Sequence, residues 1–412
     1  MQIMMKYNSW TLALIGAGLV SLPAVVRAEE KPSGVMTALA ATTLSGYVDT
    51  SAQWNLGTGD AHVPNYSYGG PSKADGFNLN AVKLSLAKPV EASDQWGAGY
   101  QVDLFMGPDA NTFANQSTGV GTGSDFAVRQ AYVALHAPIG NGLDFKIGVW
   151  DPIIGYETTD APSNPNFTRS YGYTIEPVSH TGVQATYVFS DMLSATVGVA
   201  DTFGPTINGR AFLDGGTSVT NGMPEGPKAE SYKTYMAAVT FTAPTNWGIL
   251  GGSTITGGFI NGFNSASPAA PGDGAADQTS WYVGGTFNTP VTGLKMGVAY
   301  DYAGVSAQPL TEALSPKSGY AEVVGLYISY QLTEKLTIYG RGEYAWSNIP
   351  ETFLGKEVFE TTATLQYDLW KNVLSRVEFR WDHAADDSGP YGGVTPTKDN
   401  SYILLADITY KF

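Results

Sequence analysis

Nine charged residues of this chain fall where they could act together. Asp151, Glu157, Asp160 and Glu176 share one proline-rich stretch, residues 151–179, with a single base, Arg169. Lys83, Arg341, Arg376 and Arg380 stand midway along segments in which polar and apolar residues alternate, each on the polar side. Two opposed sets of fixed charge create a transverse field, which orients polar solutes and sorts ions in water. That is the chemistry of a filter. The bland alternative is local pairing, Arg341 with Glu343 and Arg376 with Glu378, which would only solvate a wall.

Covalent chemistry finds less support. The four histidines, His62, His136, His180 and His383, sit in no HExxH or other metal-ligand spacing. There is no G-x-S-x-G nucleophile elbow. The reading is of a chain that is not an enzyme and carries no cofactor or metal, with His180 as a hydrogen-bonding rim residue. Asp109 and Asp386-Asp387 could hold Ca²⁺ at loop tips, but solvated surface acids are the commoner case. The absence of Cys excludes a disulfide framework and thiolate zinc sites. With 37 acids against 22 bases, nucleic acid is not an expected partner.

The elements that must hold these charges are strands. No stretch keeps an i, i+3, i+4, i+7 apolar stripe over several turns. Short alternating segments recur instead, over 44–56, 77–88, 96–106, 126–136, 143–150, 180–189, 192–202, 232–243, 251–263, 279–289, 294–303, 321–332, 336–347, 357–369, 373–382 and 400–412. Most match the roughly 9–11 residues that a tilted strand needs to cross a bilayer. In 373–382, Val373, Val377, Phe379 and Trp381 oppose Arg376, Glu378, Arg380 and Asp382. A packed core cannot take that many ionic groups, whereas a water-filled lumen can. Apolar outside and polar inside is the pattern of a transmembrane barrel.

The connections add an independent pattern. Seven are short (89–95, 137–142, 190–191, 244–250, 290–293, 333–335, 370–372) and eight are long (57–76, 107–125, 151–179, 203–231, 264–278, 304–320, 348–356, 383–399). They alternate, as short periplasmic turns and long extracellular loops do. Asn141-Gly142 suits a tight hairpin, and Pro290 and Gly293 bracket another. A secreted β-sandwich or propeller is the rival, but it does not predict the alternation or the charged face.

Both ends of the chain agree. Lys6, the apolar run Leu12–Leu22 and the small residues of Val26-Arg27-Ala28 have the layout of a secretory signal peptide, residues 1–28. Its apolar run is shorter than the roughly 20 residues of a spanning helix. Residues 29–43 read as a mobile lead-in and 44–412 as the barrel. At the other end Tyr402, Leu404, Ala406, Ile408, Tyr410 and Phe412 share one face. Tyr410 and Phe412 are the expected assembly signal, with Phe412 on the lipid-facing periplasmic rim of the closing strand.

Gly148-x-Trp150-Asp151-Pro152-Ile153-Ile154-Gly155-Tyr156-Glu157, Asn166-Phe167-Thr168-Arg169-Ser170-Tyr171, Glu176-Pro177 and His180-Thr181-Gly182-Val183 resemble the matching segments of the OmpL-like β-barrel porins of Gram-negative outer membranes. Pro152-Ile153 stands where that pattern usually has Thr-Pro. The resemblance covers roughly 44–412 and implies an outer-membrane pore of unspecified solute. In sixteen-stranded diffusion porins the third long loop folds into the lumen and sets the pore width; here that loop is 151–179. The expectation is therefore a closed antiparallel transmembrane β-barrel of about sixteen strands, passing small hydrophilic solutes and ions passively. Loop acids would face a basic wall built by Lys83, Arg341, Arg376 and Arg380. Two rivals stay open. One is a channel specific for sugar or peptide, with Tyr156, Phe167, Tyr171 and Tyr173 as an aromatic slide. The other is a closed structural or adhesive barrel. Outer-membrane lipids, lipopolysaccharide and the barrel-assembly machinery, reached through the C-terminal strand, are the expected partners. A homotrimer is an expectation from the resemblance to diffusion porins.

Overall fold

The computed structural model describes residues 41–57, 59–64, 66, 68–90, 95–113, 124–211, 219–220, 223–224, 232–264, 277–306, 318–349, 352–353 and 355–412. The expected signal peptide and nearly all of the lead-in lie outside them. Among the described residues, sixteen antiparallel strands close into one barrel. They are β1 (Thr43–Asn55), β2 (Gly76–Lys88), β3 (Gly97–Met106), β4 (Phe126–Ala137), β5 (Leu143–Trp150), β6 (His180–Ser190), β7 (Leu193–Ala200) and β8 (Thr234–Thr242). The second half comprises β9 (Thr254–Phe263), β10 (Asp277–Asn288), β11 (Leu294–Val305), β12 (Gly319–Gln331), β13 (Leu336–Ser347), β14 (Glu357–Trp370), β15 (Val373–Ala384) and β16 (Asn400–Lys411). Each strand pairs with its sequence neighbour, and β1 closes on β16 from Tyr47↔Lys411 to Asn55↔Ile403.

The alternation of the sequence becomes the two faces of the wall. On β15, Arg376, Glu378, Arg380 and Asp382 point inward and are buried, while Val377 and Phe379 are 52% and 42% exposed on the outside. Such an exposed apolar band is stable only against lipid. On β16, Tyr402, Ile408 and Tyr410 stay exposed on the outer face, as does Phe412 just past its end. Phe412 is also held at the seam, its N–H donating to Gly46 O at 3.0 Å and its carbonyl accepting from Gly46 N at 2.9 Å.

Of the strand boundaries that move inward from their expected positions, two have a local cause. β9 begins at Thr254 instead of 251, because Gly248–Leu250 forms a 3-10 turn and Gly252 has φ 83°. β7 ends at Ala200, where Thr202 turns away to bond Gly204 O. A two-rung ladder, Val219–Thr220 with Met223–Pro224, lies unforeseen within loop 203–231. Gly140 and Gly142 carry the positive φ that the Asn141-Gly142 hairpin needs.

Candidate solute path and its inward loop

Loop 151–179 leaves the top of β5 at Trp150, which is fully buried, and Pro152 prevents the strand from continuing. The chain then crosses the barrel interior. Ile154 packs among Ala200, Met236, Ile260, Tyr282, Ala299 and Tyr327, on the inner wall from β7 to β12. The Tyr156 ring stacks on Tyr327 with centroids 4.0 Å apart, and its hydroxyl lies 3.2 Å from Thr286 Oγ1. Gly297 on β11 makes room for it, since a Cβ there would overlap the Tyr156 hydroxyl.

The loop next clasps the wall of β13 to β16. Glu157 accepts from Arg341 Nη1 at 2.8 Å and from Ser170 N at 2.9 Å. Glu378 on β15 accepts the N–H of Phe167 (2.6 Å) and of Thr168 (2.9 Å). Asn166 donates to Thr364 on β14 at 2.7 Å. Glu343 on β13 takes the N–H of Tyr171 (2.9 Å) at the start of a one-turn helix, α1 (Tyr171–Ile175). Ser170 caps that helix by accepting from Tyr173 N at 3.0 Å. Phe167 packs with Tyr66 on Ile403 and Leu405. That contact explains why the inner face of β16 is apolar in its upper half.

The expected basic wall is therefore something else. Arg341, Arg376 and Arg380 do not look across water at the loop acids; they are buried against the loop itself. Arg376 donates to Ala161 O (3.1 Å) and Asn164 O (3.2 Å), and Arg380 to Arg169 O (2.7 Å). Each is also neutralised within the wall, Arg376 by Asp407 (2.9 Å), Arg380 by Asp382 (2.8 Å) and Arg341 by Glu360 (3.1 Å). The pairing Arg341–Glu343 exists at 3.5 Å, whereas Arg376 pairs with Asp407 and leaves Glu378 to the loop. A buried guanidinium needs this many partners, because its desolvation cost is otherwise several kcal/mol.

The remaining expected residues divide in the same way. Arg169 is buried and folds the loop on itself, donating to the carbonyls of Thr158, Phe167 and Thr159. It lies over the rings of Tyr68 and Tyr173. Glu176 is buried beside Asp301 on β11. Burial and the neighbouring Asp301 carboxyl push Glu176 well above its ordinary value. Asp151 and Asp160 keep partly exposed side chains, 41% and 29%, though each has a cation, Arg129 at 2.7 Å and Lys83 at 2.7 Å. Of the four aromatics of the expected slide, Tyr156, Phe167 and Tyr171 anchor the loop, and Tyr171 bonds Asp382 through its hydroxyl at 2.7 Å. His180 opens β6 and is fully buried, edge-on to Phe203, with Nδ1 3.5 Å from Thr202 O. Asp109 pairs with Lys73, and Asp386 accepts from Lys356 N and Ser388 N.

Sequence reading named Glu343 and Glu378 only as local partners of the arginines, and missed Arg129 and Lys146. Arg129 holds the loop's exit by donating to Val178 O at 2.8 Å and to Thr159. Its signal was available, since Arg129 and Lys146 stand on the polar faces of the two strands that precede the loop. Opposite the clasped wall, the inner faces of β3 to β7 remain partly open. Gln101, Tyr132, Lys146, Thr186 and Thr196 are neither sealed nor covered by the loop.

A family model described as "Putative beta-barrel porin-2, OmpL-like" matches residues 41–412. No curated protein matches the chain. The fold is similar to that of the outer membrane channel DcaP of Acinetobacter baumannii, at TM-score 0.55 and 15% identity over 90% of this chain and 97% of that one. An anion-selective porin from Comamonas acidovorans gives TM-score 0.58 and 12% identity over 90% and 99%. The trimer form of OmpT, an outer membrane protein of Vibrio cholerae, gives 0.54 and 13% over 90% and 99%.

Proposed function

The chain belongs to the OmpL-like β-barrel porin family of the bacterial outer membrane, and from that premise we propose how it conducts. The solute path runs along the β2 to β7 side of the lumen, and loop 151–179 narrows it from the other side. Small hydrophilic solutes and ions pass by diffusion, without catalysis. One observation carries this reading: the loop's densest bonding is to β13–β16, with lighter ties to β1, β2 and β4, while polar side chains on β3–β7 stay partly open. Asp151, Asp160 and Lys83 are the expected pore-lining charges that border that open side. Arg341, Arg376, Arg380, Glu157 and Arg169 act by fixing the loop.

A closed barrel is the second reading, favoured by the loop's reach from Lys83 on β2 to Tyr327 on β12. Planar-bilayer recording and liposome swelling with graded sugars decide between them. Stepwise conductance and size-limited uptake are expected; a silent bilayer and no swelling would leave the closed barrel.

The trimer form of the Vibrio cholerae neighbour supports a homotrimer. We also propose that residues 1–28 are removed on export and that the C-terminal strand addresses the barrel-assembly machinery. Deleting Phe412 removes both backbone bonds to Gly46. The expected outcome is a sharp fall in heat-modifiable barrel recovered from the outer membrane; unchanged recovery refutes this role.

A further inference from the structure

Most basic residues on the inner wall already hold a carboxylate. Arg129, Lys83, Arg341, Arg376 and Arg380 each have one within 2.9 Å. Lys146, on β5, is different. Among the described residues it makes no ion pair, and its ammonium lies over the Tyr132 ring, 5.0 Å from the centroid. Its side chain is on the open side of the lumen and is not sealed. A cation kept in that position without a counter-ion is ready to take one from a solute.

Two neighbours narrow the choice of solute. Gln184 sits directly across the β5–β6 pair from Lys146. It is only 7% exposed, and its Oε1 has no hydrogen-bond partner. A buried acceptor without a donor is uncommon in a folded protein and marks a place where a donor belongs. Asp151, just beyond the end of β5, acts on Lys146 electrostatically but does not close to ion-pair distance. Its side chain is 41% exposed even with Arg129 attached. The corner therefore offers one unpaired cation, one partly exposed carboxylate and one orphan carbonyl.

We propose that this corner binds small zwitterions of the α-amino-acid type. The solute carboxylate pairs with Lys146, and the ammonium donates to Asp151 and Gln184 Oε1. A hydroxy acid would satisfy Lys146 but bring no charge to Asp151. A simple amine would satisfy Asp151 but be repelled by Lys146. The proposal deepens the channel reading and rests on it only for the solute's access from outside.

Saturation-transfer NMR on the detergent-solubilised protein tests it, with L-alanine, L-lactate and isopropylamine as probes of similar size. L-alanine should bind about tenfold more tightly than either, the effect of one added charge-assisted hydrogen bond. Lys146→Met should weaken alanine about tenfold while the barrel stays heat-modifiable, because no ion pair in the protein is broken. Gln184→Met should weaken alanine by a smaller factor. Equal binding of lactate and alanine overturns the zwitterion in favour of a plain anion site. No alanine binding, or binding unchanged in Lys146→Met, overturns the site altogether. Ion conductance in planar bilayers reports separately on the channel: alanine binding without conductance refutes only the channel, and conductance without alanine preference refutes only the site.

Discussion

The two halves of the lumen wall obey one alternation rule and do opposite work. The β13–β16 half carries Arg341, Glu343, Glu360, Arg376, Glu378, Arg380, Asp382 and Asp407, and all of them are buried. The β6–β10 half offers mostly Thr, Ser and Gly inward, joined by modest bonds such as Thr186–Thr196 and Thr240–Thr256, both 2.9 Å. The dense half holds the loop and shows few charges to the lumen at mid-barrel. Charge density on a strand face therefore marks where a barrel fastens something. In the path proposed above, the solute meets the partly open faces of β3–β7 and the few charges on β2–β5 whose partners leave them partly uncovered.

The comparison breaks most visibly at Arg341. Its guanidinium holds Glu157 and Glu360 and donates to Thr168 O at 2.7 Å. Arg341→Met leaves Glu157 buried without its cation and Glu360 with only Arg380, 3.9 Å away. Removing one partner of such a network costs about 3–5 kcal/mol. The expected result is a lower unfolding temperature in detergent and a larger, noisier single-channel conductance as the loop loosens. A variant with native melting and native conductance would mean that the charged half is no clasp.

A milder test lies at the other end of the loop. Glu176 and Asp301 are buried as neighbours, which favours a proton on Glu176. Because docking raises the proton affinity of Glu176, its contribution is complete below the ordinary glutamate range, near about 4.3. It is lost as pH rises through the higher value of the docked state. Conductance noise should therefore grow with rising pH above the ordinary range. Glu176→Gln, which removes the ionisable group, should flatten that dependence. Noise that falls with pH, or an unchanged profile in the variant, would count against the pair as a fastening.

The barrel itself was legible in the sequence because strand faces are set by local alternation. The sixteen expected segments match the sixteen strands to within a few residues at their ends, and loop 151–179 was singled out by its length and its prolines. The partners of the loop were not legible. That Glu378 would take the N–H of Phe167, or that Arg376 would choose Asp407 over Glu378, depends on register between residues far apart in sequence. Ile403 and Leu405 carried a visible clue, since two apolar residues on an inward face require something to cover them. Phe167, an aromatic in an otherwise unexplained loop, is what covers them.

The smallest expected effect is the most direct reading of the open half. Asp160 bonds Lys83 at 2.7 Å and Tyr47 at 3.2 Å, yet 29% of its side chain stays exposed to the path. Lys83 has a second carboxylate, Asp103, at 3.1 Å, so Asp160→Asn leaves no cation stranded. The barrel should stay folded, because the Asp160 side chain ties the loop only to Lys83 and Tyr47, while the denser bonds to β13–β16 do not involve it. What changes is one negative charge beside a water-filled route, and with it the local concentration of cations. Reversal potentials across a KCl gradient should shift toward anions. The shift should shrink as salt rises from about 0.1 M to about 1 M, because the Debye length falls from about 10 Å to about 3 Å. Arg376→Met removes a charge of the clasped wall and should alter melting before it alters selectivity. If Asp160→Asn moved melting and Arg376→Met moved only selectivity, the division of labour between the two halves would be reversed.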